Sequence, residues 1–362
     1  VAATHPAELA ARQPGFWVSR GGGQEHLTAL RSPVWTGPGA CGEILFAEDG
    51  VPVRPAGFCN INQFVELDTE QAAGIEVLRG TQGGALYGSN ALHGVINVLT
   101  PVFADRRALR LEAGPRDYTR LGWQYSDADT VLALNLAHDG GYQDSSGYDQ
   151  QKLLWKQRQS FGDVSLVHSL AAIHMDQQSI GYLVGDEAYR DDARQRDNPD
   201  PDAWRDVDAW RYVQHWDWQA GAWQHSVRPY LRYTAMDFTQ HFNPGDPLEE
   251  NGHRSLGLQW LVAHDDFGWG SWQGGAEADL AHTWTHEWQE KPSMGTSPQG
   301  EHYDYQVDTA QVAAWQELAW HWTERLDARF GLRVDRLAYD YDSRLPAGRS
   351  GRFTRPADRS DG

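Results

Sequence analysis

The sequence has no long apolar segment, few basic residues and only two cysteines. No run approaches the ~20 apolar residues that a membrane-spanning helix needs, and the mean hydropathy is −0.64, so a helical membrane protein is excluded. Lysine and arginine number 31 against 50 acidic residues, for a net charge of −19. They form no stripe that could follow a phosphate backbone, so no nucleic acid partner is expected. Two cysteines cannot by themselves complete a four-ligand zinc site.

The sequence is rich in glycine and in aromatic residues. Its 362 residues include 37 glycines, 17 tryptophans and 14 tyrosines. This composition is unusual for a soluble protein, but it is compatible with a membrane β-barrel. In a barrel, lipid-facing and lumen-facing residues alternate, so their hydropathies average out along each strand.

Short apolar runs and glycine-rich connections make up the first hundred residues. A short helix is predicted at residues 6–13, where Pro6 occupies the first turn and Pro14-Gly15 ends the segment. Strands are predicted at 16–19, 43–47, 74–78 and 95–99, with a turn at Asp49-Gly50. Short strands, small helices and long loops together predict a compact α+β domain.

From about residue 106 the apolar pattern has a period of two. Leu132, Leu134 and Leu136 share one face of a predicted strand, and Asn135 lies on the other. The same alternation recurs at residues 226–238, 276–287 and 328–341. Strands of roughly ten residues, apolar on one face and polar on the other, are what a water-lined barrel in lipid requires.

The connections between these strands differ in length, and aromatic residues gather near them. Residues 114–117 and 161–163 are predicted turns, whereas 177–206, 241–253 and 287–305 are long and lack an apolar pattern. Long loops at one end and tight turns at the other are typical of outer-membrane barrels. We predict aromatic bands at the two membrane interfaces, the alternative being the core of a soluble β-sandwich. Their members are Trp204, Trp210, Tyr212, Trp216, Trp218, Trp223, Trp284 and Trp288.

Two segments carry a recognisable motif: Ile-Glu-Val-Leu-Arg-Gly at 75–80 and Ala-Leu-Tyr-Gly-Ser-Asn-Ala-Leu-His-Gly-Val-Ile-Asn-Val-Leu-Thr-Pro at 85–101. With Glu-Asp-Gly-Val-Pro at 48–52 and the glycine-rich 21–24, they resemble the plug domain of TonB-dependent receptors. Residues 140–153 and 244–252 resemble barrel segments of the iron-complex receptors in that family. The resemblance implies a mainly β chain: an α+β plug domain at 1–101, followed at 102–362 by the N-terminal part of an antiparallel transmembrane β-barrel.

The resemblance also implies a function. Such receptors are gated pores of the Gram-negative outer membrane, driven by the TonB complex of the inner membrane, and they take up a scarce, bulky nutrient. The implied ligand is foremost a ferric siderophore, with cobalamin, haem or another metal complex as alternatives. An adhesin or enzyme on a plugless barrel and a soluble β-rich binding protein are the remaining alternatives. We expect no enzymatic activity and no cofactor, and we expect a monomer surrounded by outer-membrane lipid.

By the resemblance, ligand contacts are expected in two loops of the plug: one that follows the first plug strand, around residues 20–26 (the first apical loop), and one that follows the Asp-Gly-Val-Pro turn, around residues 54–60 (the second apical loop). The same residues could instead serve the packing of plug against barrel. Arg20 and Arg54 are the sharper candidates, because guanidinium groups suit anionic ferric siderophores. The full expected set is Arg20, Gln24, Glu25, His26, Arg54, Pro55, Phe58 and Asn60.

The plug motif assigns roles to further residues. Gly80, Gly88 and Gly94 are expected to need a positive φ or a close backbone approach. By the resemblance, Glu76 and Arg79 pair with charges of the barrel wall or, alternatively, only solvate a strand, while Tyr87 and Asn97 are structural. In an oxidising periplasm Cys41 and Cys59 are expected to form a disulfide, which would close a loop worth about 3 kcal/mol and stiffen the second apical loop.

Metal sites and missing segments complete the expectations. His282 and His286 share a strand face but would lie ~13 Å apart, and the acidic stretch 186–208 has no EF-hand spacing, so no metal site is predicted. No TonB box is recognisable, and the chain starts at Val1 without a leader. About ten or eleven strands are predicted, against about twenty-two in plugged outer-membrane transporters. We therefore expect a truncated product or a partial sequence, with two strand edges unpaired in lipid.

Overall fold

The structure, a computed structural model, describes residues 5–34, 43–323 and 325–345 and the short segments 348–350, 353–355 and 359–361. The described residues up to Pro101 form a small α+β unit, which we call the plug. The large antiparallel sheet that begins at Arg106 is called the wall. Within the described ranges no helix is both long and apolar enough to cross a membrane.

The plug contains two short helices and six short strands. A four-stranded sheet has the order β4-β3-β6-β5, with β3 and β6 parallel, while β1 and β2 pair separately. The predicted helix and strands are present with shifted ends, and the helix predicted at 6–13 ends at Ala10. The strands β2 and β4 and the helix α2 were missed because each is too short to show a period. The elements are α1 Pro6–Ala10, β1 Phe16–Val18, β2 Thr28–Leu30, β3 Ile44–Glu48, β4 Val51–Pro52, β5 Gly74–Arg79, α2 Gly84–Tyr87 and β6 Gly94–Leu99.

One apolar core holds the plug together. Leu30, Ile44, Phe46, Phe64 and Ile96 are all at most 2% exposed and belong to the same cluster. Phe64 reaches this core from the 3-10 turn Gln63–Glu66, which brings the chain after the second apical loop against β3. Burying a large apolar side chain contributes ~1.5–3 kcal/mol, so this cluster fixes where both apical loops start and end.

The wall is a meander of eleven long strands, each paired with its neighbours in sequence. The predicted number of ten or eleven is confirmed for the described residues. A short strand β20, Arg359–Asp361, adds to β17, and β18 Gly348–Ser350 pairs with β19 Phe353–Arg355. The long strands are β7 Arg106–Ala113, β8 Thr119–Ser126, β9 Thr130–Asp139, β10 Tyr148–Phe161, β11 Val164–Gln178, β12 Trp204–Ala220, β13 Trp223–Thr239, β14 Leu248–His264, β15 Gly270–Gln289, β16 Gly300–Thr323 and β17 Leu326–Ser343.

The two faces of the wall differ as the period of two predicted. Phe330, Leu332 and Val334 on the outer face are 59%, 61% and 66% exposed. On the inner face Asn135 and Arg232 are each 1% exposed, because the plug covers them. The apolar outer face is the one that lipid would cover.

The connections alternate in length, with three corrections to the predicted boundaries. The long ones are 140–147, 179–203, 240–247 and 290–299, and we call the side of the wall that carries them the long-loop end. Strands extend into all three predicted loops, since backbone pairing continues where the outward side chains become polar; Asp206, for example, pairs with Asp176. The turn at 114–117 also lies at the long-loop end, where the N–H of Gly140 donates to the carbonyl oxygen of Arg116 at 2.9 Å.

Aromatic residues form rows towards both ends of the wall. Tyr233 stacks on Trp210 at 6.0 Å and lies 6.2 Å from Trp284 towards the long-loop end. Towards the other end, Trp218 stacks on His225 at 5.0 Å. Trp210 and Tyr212 lie well inside β12 rather than at its end, because β12 extends beyond its apolar portion.

Candidate ligand-binding site

The first apical loop is pressed against the long-loop end of the wall. The N–H of Gln24 donates to Oε1 of Gln177 at 2.6 Å, and Nε2 of Gln177 donates to the carbonyl oxygen of Gly22 at 3.3 Å. Gly23 has a φ of +50°, and a Cβ at this position would overlap the Gln177 side chain. The glycine-rich sequence therefore lets the loop approach β11 closely, and Gln24 is buried by that approach.

Charged residues of the first apical loop lie in two environments. Arg20 is exposed. Glu25 instead accepts a hydrogen bond from Ser179 Oγ at 2.9 Å and lies 3.5 Å from Nη1 of Arg205. Both partners belong to the wall or its long connection, so Glu25 ties the loop to the wall, whereas Arg20 is accessible.

His26 is an internal strut of the plug. Its Nδ1 donates to the carbonyl oxygen of Gln24 at 2.9 Å, and its Nε2 accepts from the N–H of Phe64 at 3.3 Å. Burial lowers the pKa of His26 to about 3, although the bond to the Gln24 carbonyl opposes the shift. The neutral ring thus uses both nitrogens to join the first apical loop to the turn that follows the second.

The second apical loop surrounds a buried arginine. The Arg54 guanidinium forms an ion pair with Glu66 and donates from Nη1 to the carbonyl oxygen of Asn60 at 2.7 Å. Pro55 and Asn60 are buried, and Phe58 is half-buried. The Phe58 ring lies 5.6 Å from the Arg54 guanidinium carbon and 5.0 Å from the ring of His253 in β14. The loop therefore meets the wall through Phe58.

The eight expected ligand residues fall into two groups, exposed and buried. Arg20, Glu25 and Phe58 retain exposed surface, and the other five are buried. Sequence reasoning did not single out His253, which approaches Phe58 from the wall and carries no motif. The assignment of these eight residues to ligand contact stays a prediction.

The motif glycines have the backbone conformations that were predicted. Gly80, Gly88 and Gly94 have φ values of +60°, +86° and +139°. A Cβ on Gly94 would overlap the carbonyl oxygen of Leu78, and one on Gly88 would lie 2.8 Å from Nε of Arg333 in the wall. Gly94 therefore allows β6 to begin beside β5, and Gly88 lets α2 meet the wall.

The other motif residues make contacts inside the plug. Asn97 accepts from the N–H of Gly50 and donates to Glu76, both at 2.9 Å, so it holds the Asp49-Gly50 turn against β6. Arg79 donates to Gln13 at 3.4 Å, and Tyr87 is buried in a small apolar cluster. The pairing of Glu76 and Arg79 with the wall stays a prediction.

Other plug carboxylates, which sequence reasoning did not select, meet cations of the wall. Lys152 lies 2.9 Å from Glu70, and Arg211 contacts Glu48 at 3.1 Å. Burial and the charge of Glu70 raise the pKa of neighbouring Asp68 to about 7. Lys152 outweighs the effect of burial on Glu70 and lowers its pKa. These contacts anchor the plug at the end of β3, through Glu48, and between the second apical loop and β5, through Glu70.

The connection between plug and wall is held in a similar way. Nζ of Lys156 donates to Oγ1 of Thr100 at 2.7 Å and to the carbonyl oxygen of Pro101 at 3.3 Å, and it lies 3.4 Å from Asp49. Burial favours neutral Asp49, but Lys156 and the hydrogen bonds from Thr100 outweigh it and lower the Asp49 pKa. Asp49 lies in the Glu-Asp-Gly-Val-Pro segment, but no local feature of the sequence shows that it meets Lys156, 107 positions along the chain.

One set of side chains among the described residues has metal-ligand spacing. His174, Asp206 and Asp208 place one ligand atom each within 4.8 Å of one another. His174 Nδ1 is already hydrogen-bonded to Asp208 at 2.9 Å, and all three side chains are on the partly exposed outer part of the wall. Asp206 and Asp208 belong to β12 and not to the acidic loop predicted at 186–208. Cys41 lies outside the described residues, so its disulfide with Cys59 stays a prediction.

Parts of this chain match a family model and a curated relative. Residues 1–95 match the family described as TonB-dependent Receptor Plug Domain. The vitamin B12 transporter BtuB of Vibrio vulnificus is 30% identical over 142 residues, which are 38% of this chain and 22% of that protein.

Solved structures of low sequence identity share the fold. The unliganded ferric citrate transporter FecA superposes with a TM-score of 0.72 at 15% identity, over 94% of this chain and 55% of that one. The ferric yersiniabactin uptake receptor FyuA of Yersinia pestis gives 0.71 at 17% identity, over 98% and 57%. The chain thus spans a little more than half the length of these solved relatives.

Proposed function

We infer, from the premise that this chain belongs to the TonB-dependent receptor family, that the complete receptor takes up a scarce, bulky nutrient. It does so across the outer membrane of a Gram-negative bacterium. The ligand we propose first is a ferric siderophore, and cobalamin, haem or another metal complex is the alternative. We propose that the complete receptor acts as a transporter without catalysing a reaction.

The anchored plug is the observation that carries this proposal. The inner face of the wall is covered by a folded plug that wall cations hold through buried ion pairs. Moving the plug away from the wall breaks these contacts, and a buried charge left without its partner costs ~3–5 kcal/mol. Ligand passage therefore requires work on the plug, and the TonB complex of the inner membrane is the source we propose.

The same arrangement supports a division into a plug at 1–101 and a barrel portion at 102–362. The last plug strand ends at Leu99 and the first wall strand begins at Arg106. The long connections of the wall and the two apical loops lie at the same end, where Gln177 and Ser179 contact the first loop. We propose that ligand docks at this end, outside the cell, on a monomeric receptor.

Uptake by cells that express the complete open reading frame tests the function. A deletion strain is complemented with the gene, in backgrounds with and without TonB, and accumulation of radioactive iron chelates and labelled cyanocobalamin is measured. We expect accumulation of at least one probe that requires both the gene and TonB. Equal accumulation without TonB would indicate a passive pore, and no accumulation of any probe would refute the proposal.

A further inference from the structure

Three side chains on the outer face of the wall converge on one point between two neighbouring strands. His174 belongs to β11, and Asp206 and Asp208 belong to β12. Nδ1 of His174 lies 2.9 Å from Oδ1 of Asp208 and 3.8 Å from Oδ1 of Asp206. Within the described part of the chain, no other set of three such side chains has all its ligand atoms within 4.8 Å of one another. The set lies on the face of the wall opposite to the plug, so it is separate from the site described above.

The pairing of β11 with β12 holds these residues in place. His174 lies directly opposite Asp208 in the register, and Asp206 is two positions away from Asp208 on the same face. Directly opposed side chains on an antiparallel pair have Cβ atoms ~4.5–5.5 Å apart. The three positions belong to paired strands rather than to a loop, so only side-chain rotamers have to be ordered when the three residues bind a common ligand.

The charge around this set is negative and lacks a basic partner. Asp206 lies directly opposite Asp176 on one side and directly opposite Asp237 on the other. Like charges at directly opposed positions destabilise a sheet. Among the described residues, the ion pairs of Asp206 and Asp208 are with His174 alone, and no lysine or arginine pairs with any of these four acids. A cation from outside the chain would relieve their repulsion.

The histidine determines which kind of cation suits the set. Calcium and magnesium prefer sites made of oxygen atoms, whereas zinc binds imidazole nitrogen together with carboxylate oxygen. Two atoms that each bind zinc at ~2.0–2.2 Å in a tetrahedral site lie ~3.3–3.6 Å apart. The distances of 2.9 and 3.8 Å from His174 Nδ1 lie on either side of this range, so small side-chain rotations are sufficient. Three protein ligands leave the fourth position for water.

We propose that His174, Asp206 and Asp208 form a zinc site on the outer face of the wall. The ion takes the place of the proton that His174 Nδ1 shares with Asp208. It joins β11 to β12 next to the connection 179–203, which begins after Gln178 and ends before Trp204. Bound zinc therefore holds the two ends of this connection together. The proposal is independent of which nutrient the receptor transports.

Sequence spacing gives no sign of this site. His174 and Asp208 are 34 positions apart, and only the register of the two strands brings them together. The sequence-based prediction of no metal site rested on the same-strand histidines His282 and His286 and on EF-hand spacing. Neither criterion applies to ligands supplied by two paired strands.

Zinc titration of the purified complete receptor, freed of any affinity tag and of bound metal, tests the site. Hydrogen exchange is followed at the amides of residues 175–178 and 204–207, the strand ends that the ion joins. Zinc should slow this exchange saturably, and calcium at the same concentrations should not. His174→Asn and Asp208→Asn should each raise the zinc concentration for half protection roughly tenfold or more, because even groups that only orient a metal ligand contribute that much.

Two variants serve as matched controls, and both should leave the zinc concentration for half protection unchanged. Asp237→Asn removes a neighbouring charge but no ligand. His321→Asn removes the histidine of an exposed pair, 2.7 Å from Asp327, which is part of no three-residue set among the described residues. The side chains of His174 and Asp208 are 43% and 64% exposed, so their substitution should not prevent folding.

Four results would each overturn the zinc site. They are an absence of zinc protection in the wild type, equal protection by calcium, unchanged half protection in His174→Asn, and a loss in Asp237→Asn as large as that in Asp208→Asn. The last result would indicate that the acids attract zinc only through their charge.

Discussion

Arg211 offers a direct measurement of how strongly the plug is held in the wall. Its guanidinium contacts the Glu48 carboxylate through two bonds of 3.2 and 3.1 Å and donates to the carbonyl oxygen of Glu66 at 2.6 Å. The two side chains are 3% and 10% exposed. The substitution Arg211→Met removes all three hydrogen bonds, keeps most of the aliphatic stem, and leaves Glu48 charged and buried.

The expected cost follows from these contacts. Removing one partner of a buried pair costs ~3–5 kcal/mol, because the remaining charge is uncompensated. A loss of ~4 kcal/mol raises the population of the open plug almost a thousandfold, at about 1.4 kcal/mol per factor of ten. Adding Glu48→Gln removes the stranded charge, so the double variant should recover most of the loss.

Hydrogen exchange in the purified complete receptor measures this opening at the amides of β3. Arg110→Met is the control, because Arg110 lies 3.9 Å from Glu112 in a pair whose side chains are 53% and 29% exposed. Such pairs contribute only ~0–1 kcal/mol, so exchange in β3 should not change. Protection in Arg211→Met within about 1 kcal/mol of wild type, or a double variant less stable than the single one, would refute the assignment of Arg211 as an anchor.

Three further predictions concern the plug and its connection. Gly94→Ala should prevent the plug from folding, because a φ of +139° and the carbonyl oxygen of Leu78 exclude a Cβ at this position. Gly84→Ala should be tolerated, because a Cβ there meets nothing within 4 Å. Trypsin resistance of the receptor in outer membranes measures both effects. Acid should loosen the first apical loop. Burial lowers the pKa of His26 to about 3 in the closed loop, so protonation of His26 favours the opened loop once the pH falls below the ordinary histidine pKa of ~6.5. The free energy of opening the loop then drops by up to about 1.4 kcal/mol per pH unit. Exchange at residues 24–27, corrected for intrinsic rates, should show this slope in the wild type and lose it in His26→Gln. Lys156→Met should release residues 100–105 to protease, since it removes the bonds to Thr100 and Pro101; unchanged cleavage there would contradict the anchoring role.

The features that could be predicted from sequence are those that depend on a single residue or on its neighbours along the chain. Gly80, Gly88 and Gly94 stand out because a positive φ excludes most other residues, and the wall strands stand out because lipid and plug impose a period of two. The boundaries near the long connections could not be predicted, since outward residues there face water. In that region the pairing of Asp206 with its neighbours across the sheet, not apolar periodicity, decides where β12 begins.

The contacts of the site depend on partners far away in sequence. Glu70 meets Lys152 across 82 positions, and Glu48 meets Arg211 across 163. Nothing local distinguishes these acids from exposed ones. Arg54 is the opposite case, because its contact with Glu66 is local, only twelve positions along the chain. A guanidinium suits an anionic ligand, but this one pairs with the Glu66 carboxylate instead. Only the fold reveals that its Nε remains unpaired beside Phe58.

The ion pairs between plug and wall all have the same polarity. In each of the four found among the described residues the wall supplies the cation and the plug the anion: Lys152–Glu70, Lys156–Asp49, Arg205–Glu25 and Arg211–Glu48. Separating the plug from the wall would therefore leave these four cations of the inner face without their partners, whereas the inner-face acids Asp279 and Glu277 would keep Arg232 and Arg333. The four uncovered positions would then repel cations and attract anions, whether these are small ions or the acids of the returning plug.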